Sequence, residues 1–295
     1  MSESKLKSYG GSALIEGVMM RGSLSVALAM RAPNQEIVIK TEPLGTIYRS
    51  KFTKIPFLRG LVLLWDALGL GMKALTVSAN LQTGEDEKLE GAPLFFTILF
   101  AIALAVGMFF LLPAGIGHLA VQYLGMSDWW SNVLEGVLRL VILILYLAII
   151  GRMPEIARVF AYHGAEHKTI NAYEAGSELT PEKVSQFPIE HTRCGTAFLL
   201  DVVFFSIILF GILGPLPIEW RLISRVLLIP VIAGIAYEYM RWTANHIENS
   251  LVCMIAKPNL ALQHLTTREP SNDMLEVAIA SFHAMRKAEE DQIIL

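Results

Sequence analysis

The chain has 295 residues, 54% hydrophobic and 17% charged, with a net charge of −3 and a mean hydropathy of +0.49. Soluble globular proteins carry about 25% charged residues; here the apolar excess is gathered in blocks, which points to an integral membrane protein. The charge balance gives no support for a nucleic-acid partner, Cys194 and Cys253 make no disulfide framework, and the polar N-terminus lacks the apolar core of a signal peptide.

Residues 1–54 read as a small cytoplasmic domain. The run Gly10-Gly-Ser-Ala-Leu-Ile-Glu16-Gly-Val-Met-Met-Arg21-Gly22 is punctuated by glycines, in the manner of a loop with close backbone approaches. Within it, Glu16 and Arg21 are either an ion pair in a turn or supports for a site. Alternating runs at 26–31 and 36–40, separated by Ala-Pro-Asn-Gln, predict a β-hairpin.

The stretch 55–92 begins with a helical pattern from Pro56 to about residue 80. Its polar residues Arg59, Asp66, Lys73 and Asn80 fall seven apart and form one narrow stripe. Such a helix could lie in the membrane interface, pack on a bundle with its stripe facing a cavity, or, at ~1.5 Å per residue, span the bilayer. An acidic linker at 84–90 follows.

Four apolar segments then form two expected transmembrane hairpins, 93–151 and 194–240. Residues 93–112 carry no charge and 133–150 carry Glu135 and Arg139. Residues 195–213 carry only Asp201, and 222–237 carry Arg225 at the edge with Pro230 as an expected kink. The connection 113–132 has no Lys or Arg, whereas 152–193 has five, the tail from 241 has five and residues 1–92 have eleven. The positive-inside rule is met by four spans with both termini and the loop 152–193 in the cytoplasm. A fifth span at 56–80 would put the basic loop outside. The expected fold is therefore mainly α: a polytopic helical membrane protein with about four transmembrane helices, a long amphipathic or interfacial helix and a small α+β cytoplasmic portion. In the tail 241–295, Asp273 and Glu276 suggest a capped helix start, and Leu275, Ala278, Ile279, Phe282 and Met285 give that helix an apolar face.

The chemistry gathers in the loop 152–193. His163, Glu166 and His167 stand as His-x-x-Glu-His on a helical pattern, and residues four apart on a helix are roughly 6 Å apart on one face. Two imidazoles so placed can hold a divalent metal, with Glu166 near enough to act on a bound water. Gly164 beside His163 costs the helix roughly 1 kcal/mol relative to Ala, which suggests that something packs very close there. His191 and Cys194, as His-x-x-Cys, offer further ligands of types that suit zinc best. Glu174 is too far along the helix to be a ligand and fits a supporting role with Arg193. His246 is a candidate extra ligand; His118, His264 and His283 read as surface or packing residues.

Together, the glycine-rich run from Gly10 to Arg21, the segment His163-Gly-Ala-Glu-His-Lys-Thr-Ile-Asn-Ala-Tyr-Glu174, Arg193-Cys-Gly-Thr and Leu265-Thr-Thr-Arg-Glu-Pro270 resemble the YqhQ family of bacterial membrane proteins. The resemblance covers nearly the whole chain; one departure is Thr192, where a proline is expected. It implies the fold and a cytoplasmic-membrane location, and the family has been labelled metal-dependent enzymes by inference only. Three functional expectations follow from the residues. The first is a hydrolase with zinc on His163, His167 and either His191 or Cys194, and with Glu166 as base. The second is a homo-oligomeric channel or transporter lined by Arg59, Asp66, Lys73, Glu135, Arg139, Asp201 and Arg225, since intramembrane charges usually face a bundle interior or a water-filled path. The third is a scaffold whose polar cluster only ties cytoplasmic segments together.

Overall fold

The computed structural model describes residues 9–45, 55–83, 91–214 and 216–294, apart from the side chains of residues 63, 64, 66, 67, 293 and 294. The stretch 84–90 and the Asp66 side chain lie outside the described residues. The chain is mostly helical and carries one four-stranded antiparallel sheet in the order β1-β2-β3-β4: Gly10–Leu14, Gly17–Arg21, Ser25–Arg31 and Ile37–Pro43.

The glycine-rich run expected to be a loop is instead the hairpin β1-β2, paired from Gly10↔Arg21 to Leu14↔Gly17. Its turn is Ile15-Glu16, with Glu16 at φ 53°. Glycine hides the strand pattern here because it is placed for close approach. A Cβ on Gly11 would stand 2.6 Å from the Met19 carbonyl oxygen, and one on Gly17 would collide with the Ala29 carbonyl.

Strands β2 and β3 are buried on both faces. On one face Val18, Met20, Ala27 and Ala29 pack with Tyr162 and Ala165 of helix α5 (Pro154–Glu174) and with Leu275, Ala278, Phe282 and Met285 of helix α11 (Asn272–Ile294). On the other, Met19, Val26, Leu28 and Met30 pack against Leu70, Ala74 and Leu81 of helix α1 (Leu58–Thr83). The period-two alternation of a strand divides these side chains between the two faces. The first turns of α1 meet another helix, α9 (Ile229–Asn245): Gly60 sits against Tyr237, and Arg59 pairs with Glu238. Helix α1 therefore bridges the sheet and the apolar helices.

Those apolar helices begin with a 34-residue run, Gly91–Leu124, made of α2 (Gly91–Val106), a π-helical turn (Gly107–Leu111) and α3 (Leu112–Leu124). The sequence pattern ends this helix at residue 112, with a connection from Pro113, but in the structure the helix continues. Pro113 occupies the first turn of α3, where a missing N–H costs little. It cannot donate to the carbonyl of Phe109 four residues earlier, and Arg139 Nε donates to that oxygen instead, at 2.8 Å. Helices α4 (Asp128–Ile150) and α7 (Gly195–Leu213) are also long and apolar enough to cross a membrane. Helix α8 (Ile218–Leu227) and α9 pass the same test as a pair bent by 45° just before Pro230. That makes three candidate spans among the described residues, or four if the bent pair is one. A short α6 (Pro181–Val184) lies between α5 and α7, and α10 (Ser250–Gln263), absent from the sequence reading, packs on α7.

Candidate metal centre

Helix α5 starts on Pro154 and carries two differently used faces. One joins the sheet core. The other holds His163 and His167 toward two chain segments, 185–194 and 263–268. Gly164 explains the second contact: a Cβ there would collide with the Arg268 carbonyl, and Arg268 N–H donates to the Phe160 carbonyl at 3.0 Å. This close approach brings the Thr266 carbonyl within 2.9 Å of His163 Nδ1. One turn on, His167 Nδ1 meets the Ile189 carbonyl at 2.5 Å. Carbonyls only accept, so both Nδ1 atoms donate, and in the neutral rings both Nε2 atoms are left as acceptors. The two rings stand 4.3 Å apart between centroids.

Cys194, the residue that caps the start of α7, completes a group of three. Its Sγ is 3.3 Å from His163 Nε2, and one ligand atom from each of His163, His167 and Cys194 lies within 4.8 Å of the others. Tetrahedral zinc with metal–nitrogen and metal–sulfur bonds of ordinary length spaces its ligand atoms roughly 3.3–3.6 Å apart. The His163–Cys194 pair has that spacing and the third atom lies within 4.8 Å of both, so two nitrogens and one sulfur could gather on a zinc ion with a small inward movement. The orienting bonds on the far nitrogens are those a ligating histidine ordinarily has.

The loop that delivers Cys194 is held by α5 itself. Lys168, only 4% exposed, donates to the carbonyls of Ser185 (2.8 Å) and Phe187 (2.7 Å) and pairs with Glu269 at 3.0 Å. Asn171 Nδ2 lies 2.9 Å from the carbonyls of both Pro188 and Glu190. Gln263 fixes the backbone of His191 through its N–H and its carbonyl, each at 2.9 Å. Sequence reasoning missed Lys168, Asn171, Gln263 and Thr266. The available signal was Asn171, which continues the stripe of His163 and His167 by one turn; Lys168, three residues before it, flanks that stripe.

The remaining expected site residues fall elsewhere. The His191 ring is turned to Glu174, with Nε2 at 3.6 Å from the carboxylate, and is not in the three-residue group. Burial pushes the His191 imidazole pKa down, and Glu174 only partly offsets this. Burial also raises the Glu174 carboxyl, but contact with His191 and the charge of Arg193, its ion-pair partner, outweigh that and hold it below the usual carboxylate range. Glu166 lies outside the group too. It is buried against Gly11 of β1, where a Cβ would come within 2.9 Å of its carboxyl carbon. That burial pushes its pKa up to about 7 against the pull of His163, and Oε2 has no hydrogen-bond partner among the described residues. Glu16 pairs with Arg158 through two contacts of 2.6 Å rather than with Arg21, which lines a separate cavity. His246 is exposed and bonds the Trp242 carbonyl in its own helix; His264 pairs with Glu190 at 3.1 Å, and His283 is exposed beside Phe282. His118 lies in α3, half-buried.

The described charges expected to line a pore are engaged by neighbouring helices or, for Lys73, by the sheet. Glu135 accepts from Arg225 at 2.6 and 2.9 Å, with Arg221 at 3.5 Å, and Arg139 reaches Ser206 at 2.5 Å. Asp201 accepts from Asn259 of α10 at 2.9 Å, and Lys73 pairs with Glu42 on β4 at 2.5 Å.

Against known proteins, residues 55–288 match the model of a protein family of unknown function, DUF1385. Over 309 aligned positions, covering 98% of this chain and 96% of its relative, the chain is 32% identical to the uncharacterized protein YqhQ of Bacillus subtilis (strain 168). The chain belongs to the YqhQ family. Within this YqhQ-family chain the matched region contains α5, the loop with Cys194 and the Thr266 segment, while the β-sheet precedes it. No solved structure matches.

Proposed function

We propose that this chain is a multi-pass membrane protein carrying a zinc-dependent hydrolytic centre at its cytoplasmic surface. One observation carries the reading: His163, His167 and Cys194 each bring a ligand atom within 4.8 Å of the others, His163 Nε2 stands 3.3 Å from Cys194 Sγ, and both imidazoles are held at Nδ1 by backbone carbonyls. Three protein ligands leave a fourth position open, the arrangement of catalytic rather than structural zinc. A zinc ion supplies Lewis acidity and brings the pKa of a coordinated water to near 7. Glu166 lies outside the three-residue group but feels the charge of His163, and its buried carboxyl, raised to about 7, can take up and return a proton near neutrality. Lys168 and Asn171 hold the Cys194 loop against α5, and Glu174 with Arg193 keeps the His191 ring aside.

The membrane setting is supported by the three or four apolar helices and by the basic residues gathered at one end of them. At the other end the terminal turns of α3, α4 and α8 expose Tyr123, Trp129, Trp130 and Trp220, residue types that favour a membrane–water boundary.

Cobalt replacement tests the centre. Cobalt(II) bound to a cysteine sulfur shows a sulfur-to-metal absorption band, expected in the wild type and lost in Cys194→Ser. Adding thiocyanate should shift the visible spectrum by entering the open position. A cobalt spectrum indifferent to every small anion would mean a closed, structural site and would end the hydrolase reading.

A further inference from the structure

A cavity of about 530 Å³ lies between the sheet, the start of α7 and the last turns of α9. Its volume is that of a small-molecule site, about 300–1,000 Å³. Three arginines from three separate segments line it: Arg21 at the end of β2, Arg193 just before α7, and Arg241 on α9. No Asp or Glu is among the described lining residues. Three carboxylates near these cations are already engaged, the first being Glu289 behind Gly22, which accepts from the Ser23 and Leu24 N–H groups and the Ser23 hydroxyl. Glu174 occupies one side of the Arg193 guanidinium, whose Nε has no hydrogen-bond partner among the described residues, and Glu238 is held by Arg59.

Two further features favour an anion over any other ligand. Gly195, in the first turn of α7, also lines the cavity, so the electropositive end of a 19-residue helix adds to the arginine field. The cations are all arginine, whose planar fork matches two oxygens of a phosphate at once, where lysine offers a point charge. Phe198 and Met240 supply an apolar wall, and both belong to helices counted among the candidate spans.

We propose that this cavity binds a phosphate group, held by Arg21, Arg193 and Arg241. The apolar wall suits the glycerol and first acyl carbons of an anionic phospholipid whose phosphate reaches the site from the bilayer, an assignment that rests on the membrane reading above. The same three arginines would also take free phosphate. The site needs no metal.

The test is titration calorimetry on the full-length chain in detergent, with dioctanoyl phosphatidic acid, inorganic phosphate and dioctanoylglycerol as probes, each with and without a chelator. Phosphatidic acid is expected to bind saturably and dioctanoylglycerol not to bind. Phosphate binding as tightly as phosphatidic acid assigns the site to free phosphate; weak phosphate with tight phosphatidic acid assigns it to lipid. Arg241 is exposed, so its replacement should leave the melting temperature unchanged. Arg241→Ala should weaken binding about tenfold, with Arg241→Lys between the two. Absence of saturable binding by both phosphate probes, or full affinity in Arg241→Glu, overturns the proposal. So does loss of binding with the chelator, which would place the ligand on the metal instead.

Discussion

At His163 and His167 the important nitrogen is the one facing away from the cluster. Each Nδ1 is bound to a backbone carbonyl, from Thr266 and Ile189, so the tautomer is set by the fold before any metal arrives. Those carbonyls are in place because Gly164 lets Arg268 pack on α5 and because Lys168 and Asn171 hold the 185–190 turn. Gly164→Ala should therefore lower stability by about 1–3 kcal/mol, since neither the helix backbone nor the Arg268 backbone can give way cheaply. A drop in melting temperature in detergent reports it; an unchanged temperature would mean that this contact is not made. The histidine pair, Cys194 and the close approach at Gly164 could all be read from spacing and residue type. The choice of Cys194 over His191 could not, because it depends on Glu174 and Gln263 turning His191 away.

Among the elements, α4 bears the largest electrostatic cost. Glu135, Arg139, Arg221 and Arg225 are all buried between α4, α7 and α8, three cations against one carboxylate. Breaking a buried pair costs about 3–5 kcal/mol, whereas replacing both partners with apolar residues is often neutral. Glu135→Gln should thus melt well below the wild type, and Glu135→Leu combined with Arg221→Met and Arg225→Met should recover part of the loss. Equal stability of all three would show that these charges are solvated rather than buried. Element boundaries were readable where one periodicity dominates, as in α11 and β3. They were not where a local device overrides it. The glycines of β1 and β2 look like a loop until Glu166 and Ala29 are seen above them. Pro113 looks like a helix end until Arg139 takes over its missing hydrogen bond.

For the molecule as a whole, the sheet, α5, α11 and the C-terminal half of α1 form a polar-side unit, and the apolar helices extend from it at α4, α7 and α9. The proposed orientation puts this unit in the cytoplasm. In a chain with Cys253 replaced, a cysteine introduced at Ser127, between α3 and α4, should react with an impermeant maleimide added to intact cells. One introduced at Ser177, after α5, should react only after lysis. The reverse pattern would invert the topology and put the histidine centre outside.

The central claim is the metal centre, and the metal content of the purified full-length protein tests it most directly. Mass-spectrometric metal analysis should find about one zinc per chain, the count expected of a single three-ligand site. That zinc should be lost in His163→Ala, His167→Ala and Cys194→Ser but retained in His191→Ala. No stoichiometric metal in the wild type, or zinc that survives in Cys194→Ser and disappears in His191→Ala, would contradict the account.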